Sequence, residues 1–187
     1  RTIGTRLNYR SLYRDESMFH NFASFAFRHT SGEWGYGETD INFTAGVRKE
    51  LSLFNNQTQY LGLQVNYNQI AGSYSAKDLT PFFDPTLKLE DYKNRQGIVD
   101  IHAYMDFAIN RFNIHAALSL APCFGNHGKF YFLPDIIASL PDLTEHIGVE
   151  GGLKSETELP TLNAMVRENP YISPLVQTKL QSYTSLF

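Results

Sequence analysis

One cysteine, Cys123, stands alone in the 187 residues. A lone cysteine excludes an intrachain disulfide and a multi-cysteine zinc site. No run of about eighteen apolar residues occurs, so no helical membrane span is expected, and the mean hydropathy of -0.30 agrees. That absence leaves membrane strands open, because a strand carries its apolar residues only at alternate positions. Basic excess is also missing: the formal net charge is -3, which gives no footprint for a nucleic-acid partner. Gly125-Asn-His-Gly-Lys129 is too short for a phosphate loop, and no Ser or Thr follows its lysine. None of the six histidines (His20, His29, His102, His115, His127, His146) pairs at the helical spacing of a zinc protease. No cofactor and no metal are expected.

Alternation is what the sequence has in quantity, together with aromatic residues at 14%. Residues 98–121 show it best. Val99, Ile101, Ala103, Met105, Phe107 and Ile109 hold one parity; Asp100, His102, Tyr104 and Asp106 hold the other. After Asn110-Arg111 the apolar parity resumes as Phe112, Ile114, Ala116, Leu118 and Leu120, with Asn113, His115 and Ser119 opposite. A period of two marks a strand with two unlike faces. With Asn110-Arg111 as a two-residue hairpin loop, Ile109 pairs with Phe112 and Phe107 with Ile114. A slip of one residue would separate the apolar faces. Each arm has about ten to twelve residues, roughly twice the usual strand and enough to cross a bilayer at a tilt.

The rest of the chain repeats the pattern over residues 2–14, 19–29, 38–51, 59–71, 130–139 (interrupted by Pro134), 146–153 and 176–187. Residues 161–168 suit one or two helical turns. Long loops are expected over 72–95 and 154–175, and Cys123–Lys129 reads as a glycine-bearing loop. Short connections fall near 15–17, 52–57, 110–111 and 140–143, where Pro141-Asp142 turns the chain. Longer ones fall near 31–37, 72–95, 123–129 and 154–175. Such asymmetry belongs to outer-membrane barrels, with short periplasmic turns and longer outer loops. The chain opens on Arg1 in what reads as mid-strand, as expected of a mature product or of a piece of something larger. Residues 2–14 and 176–187 are not expected to pair with each other.

The polar parity supplies the candidate site. Arg6, Arg10, Arg14, Arg28 and Arg48 share it in the first three strands, with Asp40 available to pair with one of them. Asp100, His102, Asp106 and His115 share it in the central hairpin. In a membrane barrel these ten line the lumen, where such a ladder tunes ion selectivity; ordinary ion pairing along the wall accounts for them equally well. Asp106, His115 and Ser119 form a Ser/His/Asp set on one face. No nucleophile elbow accompanies them, and Asp–His and Ser–His pairs commonly satisfy polar groups without chemistry. The protein is not expected to be an enzyme.

Alternation alone fits a soluble sheet too, with its apolar face inward. Long strands, an apolar parity free of charge, and aromatics near strand ends (Tyr13, Phe19, Trp34, Tyr36, Tyr60) favour lipid. Phe132-Leu-Pro-Asp-Ile-Ile-Ala-Ser-Leu, then Gly148-Val-Glu-Gly-Gly-Leu and Glu168-Asn-Pro-Tyr-Ile-Ser-Pro, resemble segments of Bacteroidetes-type outer-membrane β-barrel proteins, porin-like or TonB-dependent-receptor-like. The resemblance covers about residues 130–175 and includes neither a TonB box nor a plug domain. It implies a bacterial outer-membrane location, the lipid bilayer and other outer-membrane proteins as partners, and a surface loop after the Gly-Gly strand. The expected fold is all-β: one domain over 1–187, an antiparallel up-and-down transmembrane barrel of about eight or nine strands, or a piece of a larger barrel. Its expected role is porin-like transport or scaffolding in an outer-membrane complex. The alternative is a soluble lipocalin-like barrel that binds a small apolar ligand.

Overall fold

The structure is a computed structural model that describes residues 1–11, 19–32, 36–52, 59–75, 91–125, 128–144, 147–161 and 180–187. Its centre is the hairpin of β5 (Tyr92–Ile109) and β6 (Phe112–Gly125). Asn110 takes φ 56° at the turn, a left-handed conformation that asparagine tolerates better than most residues. The register is the expected one: Ile109 opposes Phe112, Phe107 opposes Ile114, and His102 opposes Ser119.

Around this hairpin the chain adds β1 (Thr2–Arg10), β2 (His20–Ser31), β3 (Gly37–Leu51), β4 (Gln59–Tyr74), β7 (Phe130–Thr144), β8 (Ile147–Glu158) and β9 (Gln181–Leu186). They form one sheet in sequence order, β1 to β9, with every neighbouring pair antiparallel. No helix occurs among the described residues. The count is nine strands among the described residues, the upper of the two numbers expected, and the sheet does not close on itself: β1 pairs only with β2, and β9 only with β8.

Several expected boundaries move. The loop placed over 72–95 shrinks, because β4 continues to Tyr74 and β5 starts at Tyr92. The loop placed over 154–175 loses its first part to β8, where Lys154, Glu156 and Glu158 keep the period of two against Leu153, Ser155 and Thr157. Pro141-Asp142 does not end β7; the strand passes through them with a register shift between Leu140 and Thr144. Pro134 is accommodated because the β8 ladder pairs β7 only from Ile136 onward, so the missing N–H removes no rung there. The expected helical turns at 161–168 lie almost wholly outside the described residues.

Directly opposed residues in an antiparallel sheet share a face, so the pairings sort the side chains. One face carries Ile3, Leu7, Phe25, Phe43, Leu63, Ile101, Leu118, Phe132, Ile136 and Val149 across eight strands. The other carries Arg6, Asn8, Asp40, Asn66, Asp100, His102, Asp135 and Lys154. In a single sheet with no second layer, the inside of a curl is the more enclosed side, although Gln59 and Gln69 are buried on the apolar parity. Asp40 is 7% exposed and Ser119 6%, whereas Leu61 is 50% exposed and Phe132 61%. The polar face is therefore concave and the apolar face convex. At one end the convex face turns polar: Arg95 donates to Gln69, and Lys93 holds the same parity. At that end the concave face turns apolar, with Ile98, Ala121 and Leu133 packed against Cys123, Tyr131 and Leu180.

Candidate functional site

The concave wall is built level by level. At one level Asn66 and Asp100 lie side by side; at the next Gln64, His102, Ser119 and Leu133; at the next Arg48, Gly62, Tyr104, Ala117 and Asp135. Asp106, His115 and Ile137 follow. A trough of about 480 Å3 runs along Asn66, Asp100, Tyr104, Asp135 and Glu156. A second hollow of about 360 Å3 runs along Asn8, Arg10, Phe22 and Arg48. Tyr104 borders both, so β1 and β8 look into one curled interior.

Hydrogen bonds link the wall along and across its strands. Gln64 donates to Asn66 Oδ1 at 2.7 Å, and Asn66 donates to Asp100 Oδ2 at 3.1 Å. Arg28 Nη2 meets Asp40 Oδ2 at 2.7 Å, and Asn42 donates to Asp40 Oδ1 at 2.7 Å. Arg48 lies over the Tyr60 ring, 4.6 Å from its centroid, a favourable cation–π position. Lys154 pairs with Glu156, and Tyr183 donates to the same carboxylate at 2.6 Å.

His102 Nδ1 bonds Ser119 Oγ at 2.7 Å, and His115 Nδ1 bonds Asp106 Oδ1 at 2.5 Å. The two rings stack with centroids 6.3 Å apart, and Tyr104 stacks on His115 at 6.0 Å. A Ser/His/Asp relay needs one imidazole between the hydroxyl and the carboxylate. Here each histidine holds one partner, and no imidazole bridges Ser119 to Asp106. Among the described residues no group of three His, Cys, Asp or Glu side chains is arranged to hold a metal.

The expected lumen-facing residues fall where alternation puts them. Arg6, Arg10, Arg28, Asp40, Arg48, Asp100, His102, Asp106 and His115 all occupy the concave face. Arg14 lies outside the described residues. The arginines do not act as one ladder: Arg28 is neutralised by Asp40 and Arg48 is stacked, which leaves Arg6 and Arg10 without an ion pair among the described residues. Asp135, Lys154 and Glu156 complete the site and were not singled out by the sequence. Pro134 hides Asp135 by breaking the pattern one residue before it. The Lys-x-Glu-x-Glu alternation from 154 to 158 was the available signal, obscured by its high polarity.

Charge is divided between the two sides of the trough. β1 and β2 bring Arg6, Arg10 and Arg28 to the concave face and no carboxylate. β5 to β8 bring Asp100, Asp106, Asp135, Glu150, Glu156 and Glu158, with Lys154 the one cation among their described concave residues.

The chain matches no protein-family model, no curated protein and no solved structure.

Proposed function

We propose that this chain is the strand-rich part of a bacterial outer-membrane β-barrel, its convex apolar face against lipid and its concave polar face along an aqueous lumen. The observation that carries this reading is the inverted polarity of the sheet. Ile3, Leu7, Leu61, Phe132 and Ile136 are each at least half exposed on the convex side, while Asp40 and Ser119 are buried on the concave side. Moving a Val, Leu, Ile, Phe or Met side chain from water to an apolar medium is worth about 1.5–3 kcal/mol, so a belt of them in water opposes folding and a belt in lipid drives it. The apolar parity of β5 runs from Val99 to Ile109, about the length that crosses a bilayer at a tilt. The resemblance of residues 130–175 to Bacteroidetes-type barrels points the same way.

The proposed role is porin-like transport, or scaffolding in an outer-membrane complex, without catalysis, cofactor or nucleic acid. The partners are the bilayer and other outer-membrane proteins. A soluble lipocalin-like barrel requires the opposite assignment of faces, and a wall of Asp, Asn, His and Arg gives an apolar ligand little to pack on.

The test is refolding of the purified chain with and without lipid vesicles, followed by far-UV circular dichroism and by protection from protease. Strand signal and protection that require vesicles are expected. A monomer that folds in plain buffer would falsify the membrane reading.

A further inference from the structure

Alternation breaks at Leu180, the residue before β9. Glu156 opposes Tyr183 and Glu158 opposes Gln181, so the odd positions of β9 share the concave face. Leu153 opposes Leu186, so the even positions share the convex face. By that period Leu180 belongs on the convex side with Leu186. It lies inside the curl instead, against the cluster of Ile98, Ala121 and Leu133.

That cluster sits on the concave parity of three consecutive strands. Ile98 opposes Cys123, Ala121 opposes Tyr131, and Ser119 opposes Leu133. Ala121 is 0% exposed, and Ile98 and Leu133 are 7% each, so this part of a largely polar wall is closed to water. β5, β6 and β7 supply Ile98, Ala121, Cys123, Tyr131 and Leu133; among the described residues Leu180 is the member that comes from elsewhere.

The place of Leu180 in the chain shows how it gets there. Gln181 ends the β8–β9 ladder at Glu158, and β8 separates β9 from β7. Two strand spacings are about 9–10 Å, farther than a leucine side chain reaches to make contact. The backbone at Leu180 therefore turns in over the concave face instead of continuing the line of β9. Leu133 belongs both to the cluster and to the lining of the trough. The polar trough thus meets an apolar block at the end away from the Asn110-Arg111 turn. Apolar constrictions in a pore hold back ions by shedding water.

We propose that Leu180 is a latch: it holds the start of β9 over the concave face of β5 to β7 and narrows the lumen there with an apolar constriction. This rests on the reading of that face as an aqueous lumen.

The experiment uses the full protein in lipid vesicles and in planar bilayers. Cys123 is the reporter, because it is the one cysteine of the chain and packs against the same cluster. Leu180→Ser should speed the reaction of Cys123 with a charged, membrane-impermeant methanethiosulfonate by about tenfold or more, the factor by which losing one buried leucine side chain shifts an opening equilibrium. It should also raise the single-channel conductance. Leu180→Met should match the unaltered protein in both readouts, and Leu186→Ser, on the convex side of β9, should change neither. A short bifunctional thiol reagent should join Leu180→Cys to Cys123 and should not join Leu186→Cys to it. That crosslink reads the contact even where Leu180→Ser loosens β9 as a whole. An unchanged Cys123 rate or conductance in Leu180→Ser, or crosslinking as strong from Leu186→Cys as from Leu180→Cys, would overturn the latch and leave the membrane reading intact. A chain that is folded and monomeric in plain buffer defeats the membrane reading itself, while the crosslink still reports the contact.

Discussion

Tyr104 occupies the space that a side chain at Gly62 would need. The two residues are opposed on β4 and β5, and the atoms nearest to a Cβ built at Gly62 belong to the Tyr104 ring. The ring lies along the wall instead of standing into the trough, and it borders both hollows of the interior. Phe22 covers Gly46 in the same manner between β2 and β3.

Gly62→Val should therefore destabilise the protein by about 1–3 kcal/mol through overcrowding. Gly62→Val combined with Tyr104→Ala should cost less than the sum of the two single changes, because residues in contact couple. Urea unfolding in lipid vesicles gives all three values. Strict additivity would show that the ring and the glycine do not share that space.

Phe107 lies on the apolar parity of β5, and Asn113 on the polar parity of β6. Met105→Arg, on the same parity near the middle of the apolar band from Val99 to Ile109, should cost about 2–4 kcal/mol if that face meets the bilayer midplane. Asn113→Ala should cost far less. Equal losses in vesicle refolding would contradict a two-faced strand.

The divided charge of the trough gives a directional expectation. Neutralising Arg6 and Arg10 to glutamine should shift selectivity toward cations, and neutralising Asp100 and Asp135 to asparagine should shift it toward anions. Reversal potentials in a salt gradient across a planar bilayer read both. Shifts of the same sign for the two variants would mean that these side chains do not line the path.

Ser119 and His102 form a structural pair, with no carboxylate behind the imidazole. Ser119→Ala should cost about 0.5–1.5 kcal/mol, the net worth of one hydrogen bond. The unaltered protein should not be labelled by a fluorophosphonate probe. Labelling that disappears in Ser119→Ala would establish a nucleophile.

Much of the fold was legible because a period of two, by itself, assigns each residue to one face of a strand. Asp106 beside His115 and His102 beside Ser119 followed from one turn, Asn110-Arg111, and from the alternation on either side of it. What was not legible came from outside that period. Direction of curl is not encoded by alternation, so the sequence could not say which face was concave. Pro141 suggested a stop, yet a strand absorbs a proline where a ladder is interrupted, and β7 shifts register between Leu140 and Thr144. Lys154 to Glu158 alternated between two polar classes, which leaves no apolar stripe to detect. Gly62 gave no sign of its role, since the ring that covers it lies some forty positions along the chain.

A topological check uses the two ends of the central hairpin. With Cys123 replaced by alanine, a cysteine at Lys93 should react with a membrane-impermeant maleimide on intact cells. A cysteine at Arg111 should react only after the outer membrane is permeabilised. The reverse pattern would invert the orientation.

The length of β4 and β5 beyond the apolar band also has a mechanical meaning. β5 has 18 residues, but its apolar parity begins at Val99; before it, Arg95 is held by Gln69 and Lys93 shares the same side. On the proposed membrane reading the sheet has a waterline. Sliding the protein one rung deeper would drag the Arg95 guanidinium toward hydrocarbon, and sliding it outward would strand Val99 and Tyr67 in water. On that reading the ends of β4 and β5 would act as a keel that fixes how deep the wall rides, independently of whatever neighbours it.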